Sequence, residues 1–293
     1  MRLAIITINY NGSESTIRLL KSLDEQSDKD LDVIIIDNAS EKSDFDNLRQ
    51  AINMGTLQSK VPMLIRNEQN LGFSGGNNVG IRQALNNGAD WVLLLNNDTS
   101  VDKDFVERLK VILSSKTGIL GVSLDEEEHM AYCGKVLWLK PQGYHIHDRS
   151  RAESEKDKYI IGGAMAIHKD VFKKVGLLDE RYFLYFEDAD FSLRVLRAGF
   201  PLSFTDDITV HHQVSSTTKK LGNPLLLRYH YRNALYFNWH NGPWYIKLLV
   251  WPWSFWIIGK QFLKILFLIH QEESRQIMIG VLDFWFSRMG KIK

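Results

Sequence analysis

One cysteine, no excess of charge of either sign, no long unbroken apolar run and no internal repeat narrow what this chain can be. With Cys133 alone, the 293-residue sequence can form neither an intramolecular disulfide nor a thiolate cage for a metal. That usage fits a reducing, cytoplasmic compartment. The 36 basic and 35 acidic residues leave a net charge of +1, too little for the global positive field that nucleic acid requires. The very apolar stretch at 248–258 holds Pro252 and is followed by Lys260 and Lys264, so it is too short and broken for a membrane span. The N-terminus has Arg2 and then apolar residues, like a short signal. Asn9 and Asn11 interrupt it and no small-residue cleavage site follows, so a first buried strand is expected. What remains is 44% apolar and 24% charged, a folding chain with room for one large domain, or one domain and an appendage.

The first half alternates in a regular way. Apolar, β-branched or leucine-rich runs at 3–8, 33–36, 61–65 and 91–95 alternate with helical spacing at 13–23, a polar helix, and a helix over about 77–86. Strands apolar on both faces, taking turns with helices, predict a mostly parallel α/β sheet flanked by helices. Each run ends in polar residues: Asn9-Tyr10-Asn11-Gly12, Asp37-Asn38, Asn67 and Asn96-Asn97-Asp98. Those ends should share the sheet edge where ligands sit in such folds. Residues 125–157 are charged and irregular and read as a surface excursion. Order returns at 159–167, followed by a helix from near Asp188 that carries Phe191, Val195 and Leu196 and closes at Gly199. Two short strands then lead to His211-His212. After Gly222 the composition shifts, with six of the eight tryptophans in the last quarter. The division is therefore a catalytic domain at 1–222 and a Trp-rich, amphipathic helical extension at 223–293. Trp and Tyr beside Lys and Arg suit a helix lying in a membrane interface, and a helical appendage packed on the domain or on another subunit is the alternative.

Four stretches could carry chemistry. Asp98, beyond the buried run at 91–95, would either hold a hard divalent cation against a phosphate or cap the segment from Asp102 onward. The loop at 67–78 has three glycines; a helix starting near Asn77 would aim unpaired N–H groups at an anion, or the loop is a flexible connection. Its spacing and lack of lysine match neither a P-loop nor a dinucleotide fingerprint. At 187–190, Glu187, Asp188 and Asp190 crowd a helix start behind Phe183, Tyr185 and Phe186. That pattern fits a poised base beside an apolar sugar wall, or a capped helix with Arg194 as the i,i+4 partner of Asp190. Of His211 and His212, adjacent on a strand, at most one can face the site, as a metal ligand or as a half-buried hydrogen bonder.

In order, the motifs ITINYNG, IIIDNAS, NLGFSGGNNVG, LLNNDT, FLYFEDADFSLR and HQVS resemble the inverting family-two glycosyltransferases of the GT-A fold, especially the rhamnosyltransferase-like branch. The resemblance covers about residues 3–216. It implies that Thr7, Asn9, Asn11 and Asp37 hold the nucleoside, with Asp37 on the base, and that Asn70 and Asn77 lie against the nucleotide. Asp98 matches the last acid of the family's D-x-D element, and Asn96 stands where many members have the first. Asn96 and Asn97 would position the ribose or shape the turn. The resemblance further implies Asp188, preferred over Glu187, as catalytic base, Gly162 and Gly163 on the acceptor side, and a Mg or Mn ion on Asp98 and His212. His212 is preferred over His211 because Val214 and Ser215 follow it.

The implied function is inverting transfer of rhamnose or another hexose from dTDP-rhamnose or a UDP-sugar to a glycan or lipid-linked acceptor, in polysaccharide or cell-envelope biosynthesis. The expected location is cytoplasmic, peripheral on the inner membrane face through the C-terminal helices, with a homo-oligomer allowed and nucleic acid excluded. Two other classes remain: a nucleotidyltransferase, which would favour a Lys- or Arg-bearing glycine loop near the N-terminus, and a non-catalytic sugar-binding module, which would not need Asp98, Asp188 and His212 together.

Overall fold

From Leu3 to Ile6 the first run is hydrophobic at every residue because alternate residues enter two different layers. The computed structural model describes residues 1–53, 61–126, 129–212 and 224–292. Strands and helices alternate as β1 (Leu3–Asn9), α1 (Ser13–Asp24), β2 (Leu31–Asp37), α2 (Lys42–Asn53), β3 (Met63–Arg66), α3 (Gly72–Asn86) and β4 (Trp91–Leu95). β5 (Thr99–Val101), α4 (Phe105–Leu113) and β6 (Ile119–Glu126) follow. Leu3 and Ile5 pack with Leu19 and Leu23 of α1 and with Phe105 and Leu109 of α4. Ala4 and Ile6 pack on the other face with Ile81 and Ala84 of α3. Each fully buried Leu or Ile contributes about 1.5–3 kcal/mol of transfer free energy, so this two-sided layer is the main source of stability.

Residues 125–157, expected as an irregular excursion, instead form short paired elements among their described residues. β7 (His129–Ala131) pairs with β6, while β8 (Cys133–Lys135) and β9 (Tyr144–Ile146) join β10 (Lys158–Tyr159) in a small antiparallel sheet. α5 (Arg149–Ser154) lies within this segment. Cys133 is buried there, and burial pushes its thiol up to about 11, so it stays protonated and inert. β11 (Ala164–His168), α6 (Lys169–Val175) and α7 (Glu187–Arg197) come next. β12 (Leu202–His212) is one long strand where two short ones were expected, because its register shift between Thr205 and Thr209 is a bulge and not a break. The main sheet runs β3-β2-β1-β4-β11-β6-β12-β5. β1 to β4 are parallel to one another, β6 and β12 share their direction, and β11, β5 and β7 oppose it. The sheet is therefore mostly parallel, as the alternation predicts.

Two boundaries moved. The third strand begins at Met63, and α3 begins at Gly72, five residues before the expected Asn77. Glycine weakens a helix, which hid this start from a propensity argument. Tertiary packing requires it. A side chain at Gly72 (φ +72°) would meet the Phe183 carbonyl at 2.3 Å, and one at Gly80 would meet Ile6 at 2.5 Å.

The C-terminal region is helical: α8 (Pro224–Asn241), α9 (Trp244–Leu266) and α10 (Gln271–Trp285). α9 continues unbroken through Pro252. Among the described residues no helix is long and apolar enough to cross a membrane. Val250, Ile257, Val281 and Phe284 form an apolar cluster that also takes in Leu235, Tyr236 and Phe237 of α8, Tyr182 from the segment before α7, and Ala189 of α7. The expected division between 222 and 223 lies outside the described residues.

Candidate active site

Because β1, β2, β3 and β4 run parallel, their C-terminal ends meet at one edge, with Asn9 and Asp37 as direct neighbours. There Asn9 donates to Asp37 (3.0 Å), Ser40 (3.1 Å) and Asp44 (2.9 Å), while its own carbonyl accepts from Thr16 (2.9 Å). Asp37 is fully buried and its other oxygen lies 3.5 Å from Arg66. Burial would raise the Asp44 carboxyl, but hydrogen bonds from Asn9 and from the Ser13 N–H (2.9 Å) outweigh it and hold it below its usual range. Next to this network, Asn38 donates to Asn70 and to the Gly72 carbonyl, both at 3.0 Å, and accepts from Asn67 and from the Leu71 N–H at 3.0 Å. In the sequence Asn38 shows only as a strand end. Its importance comes from contacts across 29 to 34 residues, which no local pattern displays.

A cavity of about 910 Å³ opens beyond these ends. Of the residues singled out in the sequence, Asn70, Asn77, Asn96, Asn97, Asp98, Glu187, Asp188 and His212 line it. Thr7, Asn9 and Asp37 do not line it and are fully buried beneath, and Asn11 lies exposed outside it, its side chain accepting from the Glu41 N–H. Gly162 and Gly163 stand just behind the wall: the Gly162 N–H donates to Asp188, and the Gly163 carbonyl accepts from the Asn96 N–H. Two of the N–H groups at the start of α3 are already engaged. The Gly72 N–H is taken by Asn70 and the Phe73 N–H by the Phe183 carbonyl, while Asn77 donates back to the Phe73 carbonyl.

Asp98 caps no helix, since α4 starts after Asp104 and Thr99 opens β5. Pairing β12 with β5 sets His212 opposite Thr99, and the His212 Nε2 lies 3.3 Å from the Asp98 Oδ1. His211 faces away, toward Asp125 (3.2 Å) and Asp102 (3.4 Å), so one histidine of the two reaches the cavity. Val214 and Ser215 lie outside the described residues. Among the described residues no group of three or more His, Cys, Asp or Glu could hold a metal alone. Asp98 and His212 offer an anionic oxygen and an imidazole nitrogen at the cavity wall. That donor pair fits a Mg or Mn ion whose other positions would be filled by diphosphate oxygens and water.

The three carboxylates of the acidic helix start point two ways. Asp190 turns inward, accepting from Arg194 (2.7 Å), Asn241 (2.7 Å) and the Tyr182 hydroxyl (3.3 Å). Glu187 and Asp188 face the cavity instead. Burial, then the neighbouring charge of Asp188, pushes Glu187 up to about 8. Burial also raises Asp188, but its carboxylate accepts N–H bonds from Gly162 (3.1 Å) and Ala189 (2.7 Å), which resist the shift. One Glu187 oxygen is buried and has no hydrogen-bond partner among the described residues. The two N–H bonds thus favour the charged form at Asp188, while burial beside that charge favours the protonated form at Glu187.

Residues 4–176 match the family model described as Glycosyl transferase family 2. The chain belongs to that family. The transferase is 23% identical over 242 residues to the dTDP-rhamnosyl transferase RfbF of Shigella flexneri, covering 78% of this chain and 77% of the relative. It is 23% identical over 278 residues to the N-acetylglucosaminyl-diphospho-decaprenol L-rhamnosyltransferase of Mycobacterium tuberculosis, covering 83% and 86%. In fold it resembles the mannosyltransferase PcManGT of Pyrobaculum calidifontis, solved with GDP-Man and Mn2+, at a TM-score of 0.59 and 14% identity over 98% of this chain and 88% of that one. The GT-A fold expected from the motif order is thus the one observed.

The sequence did not reveal that the C-terminal helices help to build the site. Tyr229 and His230 of α8, with Lys291 and Ile292, line the same cavity. Asn233 of α8 donates to the carbonyls of Tyr182 (2.8 Å), Leu184 (2.7 Å) and Tyr185 (3.2 Å), gripping the segment just before Glu187.

Proposed function

We propose that this transferase moves a sugar, with rhamnose from dTDP-rhamnose as the first candidate and a hexose from a UDP-sugar as the second, onto a glycan or lipid-linked glycan hydroxyl with inversion. One observation supports the reading most: the Asp98–His212 pair and the Asp188 carboxylate line the same cavity. In this mechanism Asp188 accepts the proton of the acceptor hydroxyl as that oxygen bonds to the anomeric carbon. The bond from that carbon to the diphosphate breaks in the same displacement, and its electron pair leaves on the phosphate oxygen. Attack from the opposite face inverts the anomeric configuration without a covalent enzyme intermediate. A divalent cation on Asp98 and His212 would supply electrostatic stabilisation of the leaving diphosphate. Gly162 keeps Asp188 oriented through its N–H, and protonated Glu187 adds no second negative charge beside it.

The relatives' names guide the choice of donor, and the exposed apolar face of α9 favours an acceptor at a membrane, on its cytoplasmic side. Asp188→Asn tests the core of the reading. The amide keeps size and polarity but cannot take the proton, so transfer should fall by about 10²–10⁴-fold. Nucleotide affinity should stay within about threefold, a difference under about 0.7 kcal/mol. The anomeric configuration of the wild-type product, read by NMR, checks inversion. Normal turnover in Asp188→Asn would remove it as the base.

A further inference from the structure

The wall that α8 gives the cavity has a chemistry the mechanism above does not use. His230 is 7% exposed, lines the cavity, and neither ring nitrogen has a hydrogen-bond partner of ordinary geometry among the described residues. Its ring stacks on Tyr185, with centroids 3.9 Å apart and planes 15° from parallel. One residue earlier on α8, Tyr229 stacks on Phe183 at 5.4 Å and 15°. Both stacks join a helix outside the family-matched region to the aromatic segment preceding Glu187 and Asp188. That segment is backbone-strained: Phe183, Tyr185 and Phe186 have φ of +61°, +71° and +73°. Such strain is held only where the surroundings determine it, here by the Asn233 hydrogen bonds and the two stacks.

We propose that this wall is a saccharide subsite for the acceptor, where His230 hydrogen-bonds a sugar hydroxyl and the two aromatic stacks meet the sugar's apolar face. The inference rests on the glycosyltransfer reading and adds the C-terminal extension to the determinants of acceptor choice. Three observations favour a neutral saccharide. Burial pushes His230 down to about 4 despite the opposing Pro141 carbonyl, so the ring is uncharged at neutral pH and would not serve as a cation for phosphate. Even with its one N–H turned toward the Pro141 carbonyl, a neutral imidazole keeps an acceptor nitrogen for a sugar hydroxyl. A plain lipid chain would leave that buried acceptor unsatisfied, at a cost it could not offset. Position agrees as well, since α8 packs against the segment leading to Asp188.

His230→Phe keeps a ring of similar size for the Tyr185 stack and removes both nitrogens; His230→Asn restores a donor and an acceptor without the ring. The full chain would be tested by saturation-transfer NMR with the methyl glycosides of rhamnose, glucose, galactose, mannose and N-acetylglucosamine, with dTDP or UDP present. At least one glycoside should bind the wild type and weaken by about tenfold in His230→Phe, about what one lost hydrogen bond accounts for. His230→Asn should recover part of the loss, and UDP or dTDP affinity should stay within about threefold in both, the mark of a subsite separate from the nucleotide. Nucleotide binding with no glycoside binding, or glycoside binding unchanged in His230→Phe, would overturn the subsite and leave the transferase reading standing. A wild-type chain that binds none of UDP, dTDP or GDP would overturn both.

Discussion

Glu187 and Asp188 are adjacent in sequence and share one cavity wall, yet their surroundings separate their protonation. Asp188 receives two backbone N–H bonds, whereas burial and the like charge beside it push Glu187 to about 8. This carries a stability consequence of definite sign. A carboxyl whose folded pKa lies above its unfolded 4.5 binds more protons in the folded state, so its contribution is complete below about pH 4.5. It is lost as pH rises through the folded value near 8, with a slope of up to about 1.4 kcal/mol per pH unit. Glu187→Gln keeps the shape and removes the titration. Its urea midpoint should therefore change less with pH between 5 and 8 than the wild type's, and should exceed it above about pH 8, the upper end of that window. Parallel curves for the two proteins would show that Glu187 titrates as an exposed carboxylate does.

At the scale of elements, legibility followed the range of the interactions. The runs that became β1, β2 and β4 were readable because burial on both faces leaves a local, nearly unbroken apolar signature. Asp98 and His212 were readable through motif order, although 114 residues of chain separate them and only the β5–β12 pairing brings them to 3.3 Å. The α3 start was hidden because glycines chosen for close approach to Phe183 and Ile6 read as a loop. The role of α8 was hidden for a different reason. Asn233 reaches back 48 to 51 residues to three carbonyls, and one asparagine in an aromatic helix has no sequence signature. Its effect is measurable. Asn233→Ala would remove a donor from the part-buried Leu184 and Tyr185 carbonyls, while the Tyr182 carbonyl keeps the Leu184 N–H and Arg232. The loss should cost about 1–3 kcal/mol of stability and release a segment held at positive φ. We expect kcat to fall by about 10–100-fold as Asp188 loses its fixed position, with nucleotide affinity nearly unchanged. A rise in KM alone, with kcat preserved, would argue against positioning.

For the molecule as a whole, the C-terminal helices present two opposed faces. On α9 the stripe Ile246, Val250, Ser254, Ile257 and Gln261 is buried, a spacing of three and four that packs one side inward. The other side should then be polar in a freely soluble protein. Instead Trp244, Leu248, Phe255, Trp256, Phe262 and Leu266 are 52–74% exposed, and Phe267, Leu268 and Phe286 extend the patch. α9 contains Lys247, Lys260 and Lys264 and no acidic residue, a charge suited to an anionic surface. Since no helix among the described residues can span a bilayer, we propose that this face lies in the membrane interface and brings the cavity to a lipid-linked acceptor. The triple substitution Trp256→Ser, Phe262→Ser and Leu266→Ser leaves the buried stripe intact, so far-UV circular dichroism should be unchanged. Co-sedimentation with phosphatidylcholine vesicles containing phosphatidylglycerol should weaken by at least about tenfold, because each large apolar side chain withdrawn from the interface forgoes up to about 1.5–3 kcal/mol. Added salt should weaken wild-type binding partly, by screening the lysines, while the apolar component persists. If the wild type ignored these vesicles and sedimented in free solution as a dimer that the triple variant dissociates, the apolar face would be a contact between copies of the chain and the membrane reading would fall.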